Sequence, residues 1–263
     1  MTAVTPGEAT ITVTTVDGGK TATCDVTVKA ALPAGALAGE FTVNAEGRKV
    51  HFSQGNLVAT IDATGTPTAW KFAAHQYDYL GENGANKTIG KAAGDVDLFG
   101  WSTEATKYGI STSLDNADYS GYFVDWGKNI GDGNTWRTLT KNEWVYLFDT
   151  RTVNGGTRAG KSYSLNITYG GKMGVVLYPD DYTGSVLSGT VDSLPEGVVF
   201  LPAAGYRAGP IVDFVGVIGY CWSGSLYDSI FAYHVGFSSG AVVPDNSCPR
   251  SNGYPVRLIA DVK

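Results

Sequence analysis

Residues 136–148 read WRTLTKNEWVYLF and carry the one clear helix signal of the chain. Thr140 and Glu143 stand at the spacing of a capping box, in which a hydroxyl and a carboxylate each accept a backbone N–H at the helix start. Four residues then share one helical face: Trp144, Leu147, Phe148 and Arg151. The pattern predicts a short amphipathic helix from about Lys141 to Arg151.

Short strand signals lie on both sides of this helix. The candidates are residues 41–43, 49–53, 69–72, 174–179, 197–202 and 254–259. From 79 to 133 the chain is rich in Gly, Asn and Asp, which predicts ordered loops held by buried Trp101, Tyr122 and Trp126. Many short strands, few helices and long loops predict the α+β class.

The first part of the chain alternates between apolar and polar residues. The string GEATITVTTVDGGKTATCDVTV, residues 7–28, predicts a β-hairpin whose turn is Asp17-Gly18-Gly19. Residues 31–39 have the Pro, Gly and Ala content of a linker. We therefore place the hairpin part at 1–30, the linker at 31–39 and the main domain at 40–263.

Residues 205–257 contain no Lys, Glu, Gln, Met or Thr. Lys, Glu, Gln and Met occur 23 times elsewhere in the chain, so a uniform composition would put about six of them in this segment. Tyr, Phe, Ile, Val, Ser, Asn and Gly are abundant there instead. This composition is typical of a binding surface, where aromatic side chains supply contact area and small polar ones supply adaptable hydrogen bonds. The segment is therefore predicted to be a recognition surface.

The overall charge excludes one class of partner. The 263 residues have a formal net charge of -6 and no cluster of Lys or Arg, which repels a phosphate backbone, so nucleic acid is not expected as a ligand. No run reaches the roughly 18 apolar residues of a membrane-spanning helix, so direct membrane insertion is not expected either. The start of the sequence has no signal-peptide pattern, so an exported protein would carry its signal upstream or leave the cell on a phage particle. The oligomeric state stays open.

Eight motifs follow one another between His51 and Ile259. They are HFSQGNLV (51–58), YDYLG (77–81), DLFGW (97–101), DWGKN (125–129), WRTLTKNEWVYLF (136–148), VVLYPDDY (175–182), VFLPAAGYR (199–207) and GYPVRLI (253–259). Together they resemble a family of Bacteroides and phage proteins with a C-type lectin fold, which includes variable proteins diversified by retroelements. The pattern is similar, more distantly, to the formylglycine-generating enzyme group. Residues 7–28 resemble the last two strands of a bacterial immunoglobulin-like domain.

The resemblance implies a cause for the unusual composition. In diversified members, the segment between an AAGYR-like start and a G-x-x-VRL-like end is rewritten at template adenines. An Asn codon rewritten in this way can encode most residue types but never Lys, Glu, Gln, Met or Trp. The first four are absent from 205–257, and Trp222 would be a fixed position. The absence of Thr has no explanation in this mechanism.

By the same resemblance, the variable region of about 205–257 divides into a fixed frame and a set of replaceable positions. The frame residues are Gly205, Tyr206, Arg207, Trp222, Ser223, Ala232, Tyr233, Phe237, Gly240, Gly253, Val256, Arg257 and Leu258. The replaceable positions, which are expected to line a ligand-binding surface, are Asp213, Phe214, Val217, Ile218, Tyr220, Leu226, Tyr227, Asp228, Ile230, Phe231, His234, Asp245, Asn246, Ser247, Cys248, Pro249 and Ser251. The alternative for the apolar members is burial beneath the loops.

Metal and catalytic chemistry has little support in the residues. His51, His75 and His234 lie far apart, with no Cys or carboxylate at ligand spacing. The acidic pairs Asp180-Asp181 and Asp95-x-Asp97 could supply oxygen ligands to a structural calcium ion, but the calcium motifs of sugar-binding lectins are absent. We therefore expect no cofactor, no metal and no catalytic residues.

The resemblance implies a ligand-binding protein outside the cell, on a bacterial surface or a phage virion, whose ligand is a protein or glycan on another cell. One alternative is a static adhesin or structural surface protein of the same fold. Another is an oxidase related to the formylglycine-generating enzymes, in which Cys221 and Cys248 would meet in a cleft. The sequence leaves open whether these two form a disulfide or whether they and Cys24 are free thiols.

Overall fold

The computed structural model describes residues 6–28, 30–82, 85–153 and 162–263. It divides into two compact units, Met1–Ala34 with Lys263 and Gly35–Val262. Short strands in small sheets dominate the described residues and helix is scarce, so the protein is α+β or mainly β.

The first unit contains one antiparallel hairpin, made by β1 (Gly7–Thr14) and β2 (Thr21–Val28). Ile11 lies opposite Cys24, and the Thr15 N–H donates to the Lys20 carbonyl at 2.9 Å to close the turn. Gly19 adopts a φ of 61°, a left-handed conformation that favours glycine. The predicted hairpin and its Asp-Gly-Gly turn are confirmed.

The second unit holds sixteen described strands and the described helical turns. In chain order the strands are β3 (Phe41–Thr42), β4 (Lys49–Phe52), β5 (Leu57–Ile61), β6 (Pro67–Phe72), β7 (Gly94–Val96), β8 (Trp136–Thr138), β9 (Tyr163–Tyr169), β10 (Lys172–Leu177), β11 (Gly189–Val191), β12 (Val199–Pro202), β13 (Tyr206–Ala208), β14 (Ile211–Asp213), β15 (Gly219–Leu226), β16 (Phe231–Phe237), β17 (Val242–Pro249) and β18 (Leu258–Asp261). Two turns of 3-10 helix lie at Asn116–Tyr119 and Trp126–Asn129.

The two ends of the second unit meet in one sheet, whose strand order is β3-β4-β18-β8. Strand β18 pairs antiparallel with both neighbours, so that Ile259 lies opposite Phe52 on one side and Arg137 on the other. The other sheets of this unit have the orders β11-β9-β10-β12, β13-β14, β15-β16-β17 and β6-β5-β7. The predicted strands at 41–43, 49–53, 69–72, 174–179 and 197–202 are confirmed with small shifts of their ends. In the last candidate, 254–259, regular pairing begins at Leu258.

The predicted helix begins as expected but changes its winding. Helix α1 (Lys141–Val145) starts with the full capping box: Thr140 Oγ1 accepts from the Glu143 N–H at 3.3 Å and the Glu143 carboxylate accepts from the Thr140 N–H at 2.8 Å. A wider π-helical turn, Tyr146–Thr150, continues it. The turn ends at Arg151, whose buried guanidinium donates to the Tyr178 carbonyl and the Asp180 carboxylate.

The core is built around tryptophans. Trp101, Trp126, Trp144 and Trp222 are fully buried, as predicted for packing residues. The prediction for Tyr122 is wrong: its side chain is 92 % exposed. The buried tyrosine of that loop is Tyr119, which ends a 3-10 turn and donates from its hydroxyl to the carbonyls of Ser111 and Ser113 at 3.1 Å.

Candidate ligand-binding surface of the C-terminal segment

Residues 205–257 fold into the hairpin β13-β14 and the sheet β15-β16-β17. Gly205 stands where the two parts meet. Its φ is 70°, and a Cβ atom there would lie 2.2 Å from the Asp213 carbonyl oxygen, so only glycine fits. The backbone of the turn after β14 therefore passes directly over the start of the segment.

The frame residues proposed from the sequence are mainly interior. Ten of the thirteen are buried: Gly205, Arg207, Trp222, Ser223, Ala232, Phe237, Gly253, Val256, Arg257 and Leu258. Tyr206 and Tyr233 are half-buried, and Gly240 is exposed in the turn between β16 and β17. The Trp222 indole N–H donates to the Phe99 carbonyl at 2.6 Å, which ties β15 to the loop that contains Phe99.

Two of the frame arginines are fully buried and have no acidic partner among the residues that the structure describes. Arg207 donates to the carbonyls of Leu98 and Gly209, and Arg257 donates to the side-chain oxygens of Asn56 and Gln76. Burial lowers the pKa of both arginines. For Arg257 it falls to about 10, so this guanidinium is still a cation at neutral pH. Each guanidinium therefore donates hydrogen bonds to uncharged oxygens of neighbouring loops in the interior of the protein.

Arg250 contacts the loop between β15 and β16 from the interior of the protein. Its side chain is 3 % exposed and stacks over the Trp101 ring at 4.8 Å. One terminal nitrogen donates to the Tyr119 carbonyl at 3.1 Å and the other to the Asp228 carbonyl at 2.6 Å. Its backbone N–H donates to the Ile230 carbonyl at 3.0 Å. The loop between β15 and β16 is thus held by a residue outside it.

The replaceable positions are mainly accessible. Nine are exposed: Asp213, Phe214, Val217, Leu226, Tyr227, Asp228, Ile230, Asp245 and Asn246. Five are half-buried: Ile218, Tyr220, Phe231, Ser247 and Pro249. Three are buried: His234, Cys248 and Ser251. These three side chains are therefore not accessible to a ligand in this structure.

The first group of accessible apolar side chains, the hairpin patch, consists of Ile211, Phe214 and Val217. Phe214 has a φ of 56° and stacks on the Tyr206 ring at 6.0 Å between ring centroids. Tyr206 in turn makes an edge contact with Tyr220 at 5.9 Å. The hairpin patch therefore continues into the aromatic side chains of the three-stranded sheet.

The second group, the loop patch, consists of Leu226 at the end of β15 and of Tyr227 and Ile230 in the loop between β15 and β16. The Asp228 carboxylate accepts the backbone N–H groups of Ile230 and Phe231, both at 2.7 Å, which closes the turn. These two hydrogen bonds lower the pKa of Asp228, and the one from the Phe231 N–H has the larger effect. Tyr227 packs edge-on against Tyr233 at 5.1 Å. The turn geometry presents the three apolar side chains to solvent.

The replaceable positions do not share a single face of the sheet. Residues directly opposite one another in antiparallel strands lie on the same face, and neighbours along a strand alternate. Asn246 lies opposite His234, and Cys248 lies opposite Ala232. Ser247 and Pro249, opposite Tyr233 and Phe231, lie on the other face. The register therefore divides the positions between two sides.

His234 is the most unusual of the buried positions. Its side chain is 2 % exposed, and neither ring nitrogen has a hydrogen-bond partner among the described residues. The ring lies 4.8 Å from Tyr254 and 5.6 Å from Tyr220 between centroids. Burial in this aromatic pocket lowers the pKa of His234 to about 4, so the imidazole is neutral at physiological pH.

Sequence reasoning missed two accessible apolar residues of the segment. Ile211 and Val243 are both exposed. Ile211 and Asp213 are exposed on either side of buried Val212 in strand β14. The available signal was that residues i and i+2 of a strand share a face, which puts Ile211 on the face of polar Asp213. Val243 lies opposite Gly236 in β17, and no local pattern in Ala-Val-Val-Pro marks it as exposed.

The cysteines are free thiols in the described structure. Cys221 and Cys248 are both buried, but they belong to different clusters of the core. Burial raises the pKa of each to about 12, so the reactive thiolate form is disfavoured at neutral pH. Neither the disulfide nor a shared cleft is found.

Three of the four candidate calcium ligands are engaged with protein groups, and the fourth, Asp181, is exposed. Asp180 accepts from the Thr42 N–H and from Arg151. Asp95 pairs with Lys71, whereas Asp97 is buried and accepts from Asn86 and from the Leu80 N–H. Within the described ranges no group of three or more His, Cys, Asp or Glu side chains could hold a metal ion.

Comparison of the chain with protein-family models, with curated proteins and with solved structures finds no match. Among the helices that the structure describes, none has the length and apolar character needed to span a bilayer.

Proposed function

We propose that the chain is a recognition protein whose segment 205–257 binds a ligand through its accessible side chains. The observation that carries this proposal is the distribution of exposed apolar groups. Thirteen large hydrophobic side chains are exposed among the described residues, and seven of them lie in this one segment: Ile211, Phe214, Val217, Leu226, Tyr227, Ile230 and Val243. Contiguous exposed apolar patches mark interaction sites, and the concentration of these side chains in one segment supports such a site there.

We further propose that the segment is diversified by a retroelement. Burial supports a division of labour, because ten of thirteen frame residues are interior while fourteen of seventeen replaceable positions are at least partly accessible. Side chains at accessible positions can change without creating cavities in the core. The missing Lys, Glu, Gln and Met match what rewriting of Asn codons excludes.

The scaffold proposed for this surface is a C-type lectin-like fold. The ordered motifs between His51 and Ile259 support it, as does the return of the last strand, β18, to the sheet of β4 near the beginning of the unit. The hairpin β1-β2 is proposed to be the end of an immunoglobulin-like domain. Such a protein would act on a bacterial surface or phage virion and bind a protein or glycan of another cell without catalysis.

The genetic part of the proposal is tested at the locus. We expect a nearby reverse-transcriptase gene and a template repeat that differs from the segment only at adenines. Related strains should differ at Phe214, Ile218, Leu226 and Phe231 and agree at Arg207 and Trp222. A locus without a repeat, with the same residues in all strains, would instead favour a static adhesin.

The binding part is tested with arrays of bacterial surface proteins and of glycans. The variant with Val217→Asn, Leu226→Asn and Ile230→Asn should lose the signals that the unaltered protein gives. The matched control carries Val16→Asn, Leu32→Asn and Val186→Asn, which are exposed apolar residues outside the segment. Equal signals from both variants would mean that this surface is not the binding site.

A further inference from the structure

The charges of segment 205–257 are separated by depth. The segment contains three arginines, three aspartates and no Lys or Glu, so its formal charge is zero. Arg207, Arg250 and Arg257 are all buried. The three aspartates are all exposed, at positions 213, 228 and 245. The accessible charge of the segment is therefore negative only.

Each exposed carboxylate is close in sequence to accessible apolar side chains. Asp213 lies between Ile211 and Phe214, at the hairpin patch. Asp228 follows Tyr227 and precedes Ile230, in the loop patch. Asp245 lies two residues after exposed Val243. Along its sequence the segment thus repeats one chemical combination at three places, an exposed carboxylate within two residues of an exposed aliphatic or aromatic side chain.

Resting on the proposed function, we propose that the ligand is a protein surface that presents Lys or Arg side chains beside apolar ones. Cations match the carboxylates, and electrostatic complementarity of this kind steers association and selects partners. The rings of Tyr227 and Phe231 can also accept a guanidinium or ammonium group over their faces. The aliphatic groups match apolar side chains of the same partner.

A glycan fits this surface less well. Sugar hydroxyls need hydrogen-bond partners, and Ile211, Val217, Leu226, Ile230 and Val243 offer none. A neutral glycan would also desolvate the three carboxylates without supplying a counter-charge, which is unfavourable. An acidic glycan would be repelled by them.

Two lysines from other elements border the surface, and both are already engaged. Lys141 of α1 lies over the Tyr233 ring at 5.3 Å, and Lys172 of β10 lies over the Tyr79 ring at 4.7 Å. Both are half-buried against these rings. They limit the negative field at the edges of the segment but do not pair with any of its three aspartates.

The experiment is a selection of random peptides, displayed on phage, against the immobilised full chain. We expect the enriched peptides to combine Lys or Arg with aromatic or aliphatic residues. Their affinity should fall about 10-fold for the variant with Asp213→Asn, Asp228→Asn and Asp245→Asn. At positions 213 and 228, Asn keeps the side-chain oxygen that accepts the N–H groups of Phe214 and Ile230, so the turns are preserved.

The matched control removes the same charge elsewhere. Asp181→Asn, Asp192→Asn and Glu196→Gln change three exposed carboxylates outside the segment, and this variant should bind the peptides as the unaltered protein does. Enrichment of neutral or acidic peptides, or equal loss in both variants, overturns the proposal. Failure to enrich any peptide also overturns it. In that case glycan binding that is lost with the apolar triple variant leaves the proposed function standing, and the absence of any binding removes both.

Discussion

The Tyr220 ring lies parallel to the Tyr254 ring, with 4.5 Å between the centroids and 4° between the planes. Tyr220 is a replaceable position at the edge of the surface, and Tyr254 is buried in the core beside Trp222 and His234. One face of the Tyr220 ring therefore covers the core. A residue proposed to contact ligand also shields the frame.

Replacing this ring should cost stability as well as binding. Tyr220→Ala removes the stacked ring and opens Tyr254 to water, so we expect the free energy of unfolding to fall by about 1–3 kcal/mol. Tyr220→Phe keeps the stack and should change it by less than about 0.5 kcal/mol. Urea unfolding monitored by tyrosine and tryptophan fluorescence measures both. Equal stability of the two variants would show that the stack contributes nothing.

Arg250 should determine the order of the loop that it holds. Arg250→Met keeps an apolar chain over Trp101 but leaves the carbonyls of Tyr119 and Asp228 without this donor, so we expect a loss of about 2–4 kcal/mol. Hydrogen exchange at the N–H groups of Ile230 and Phe231 should accelerate. Arg48→Met, which removes an exposed ion pair with Asp261, should cost less than about 1 kcal/mol and leave that exchange unchanged.

His234 should make the protein sensitive to acid. Its pKa is about 4 in the folded chain and 6.5 when unperturbed, so between these values the unfolded chain binds more protons and stability falls as the pH falls. The full effect is about 3 kcal/mol. His234→Phe keeps a ring in the pocket and cannot titrate. The stability of this variant relative to the unaltered protein should therefore rise as the pH falls from about 7 to about 4, and a constant difference would contradict this account.

Asp97 should have the opposite pH dependence. Burial raises its pKa from 3.8 to about 6, so the folded chain binds more protons between these values, and stability that is present below 3.8 is lost as the pH rises through 6. Asp97→Asn removes this titration. We expect the stability of the variant relative to the unaltered protein to rise by about 3 kcal/mol from about pH 4 to about pH 7. Unfolding curves at several pH values test this, and a difference that falls with rising pH would show that the sign is wrong.

Local chemistry explains which parts of the fold could be predicted. The capping box of Thr140 and Glu143 and the Asp-Gly-Gly turn are decided by groups within a few residues of each other, so the sequence specifies them. The choice between Tyr119 and Tyr122 is not local. Tyr119 is buried because its ring reaches Gly100, where a Cβ would lie 2.2 Å from it, and that approach depends on the folded loops.

The candidate site shows the same limit. Composition indicated a recognition segment, but the register of β16 and β17 decides that Asn246 and Ser247 lie on opposite faces. His234 stands opposite Asn246 in the ladder, and its burial comes from Tyr220 and Tyr254 rather than from its sequence neighbours. The interior position of the three arginines likewise follows from carbonyl groups distant in the chain, such as Leu98 for Arg207.

Arg250 gives the loop between β15 and β16 a practical property. The arginine reaches that loop through the main-chain oxygens of Asp228 and Ile230, and every residue type supplies such an oxygen. A library randomised at Leu226, Tyr227 and Ile230 would therefore keep its anchor in each member. The chain could therefore serve as a display scaffold, because the contacts of Arg250 with the loop do not depend on the side chains at these three positions.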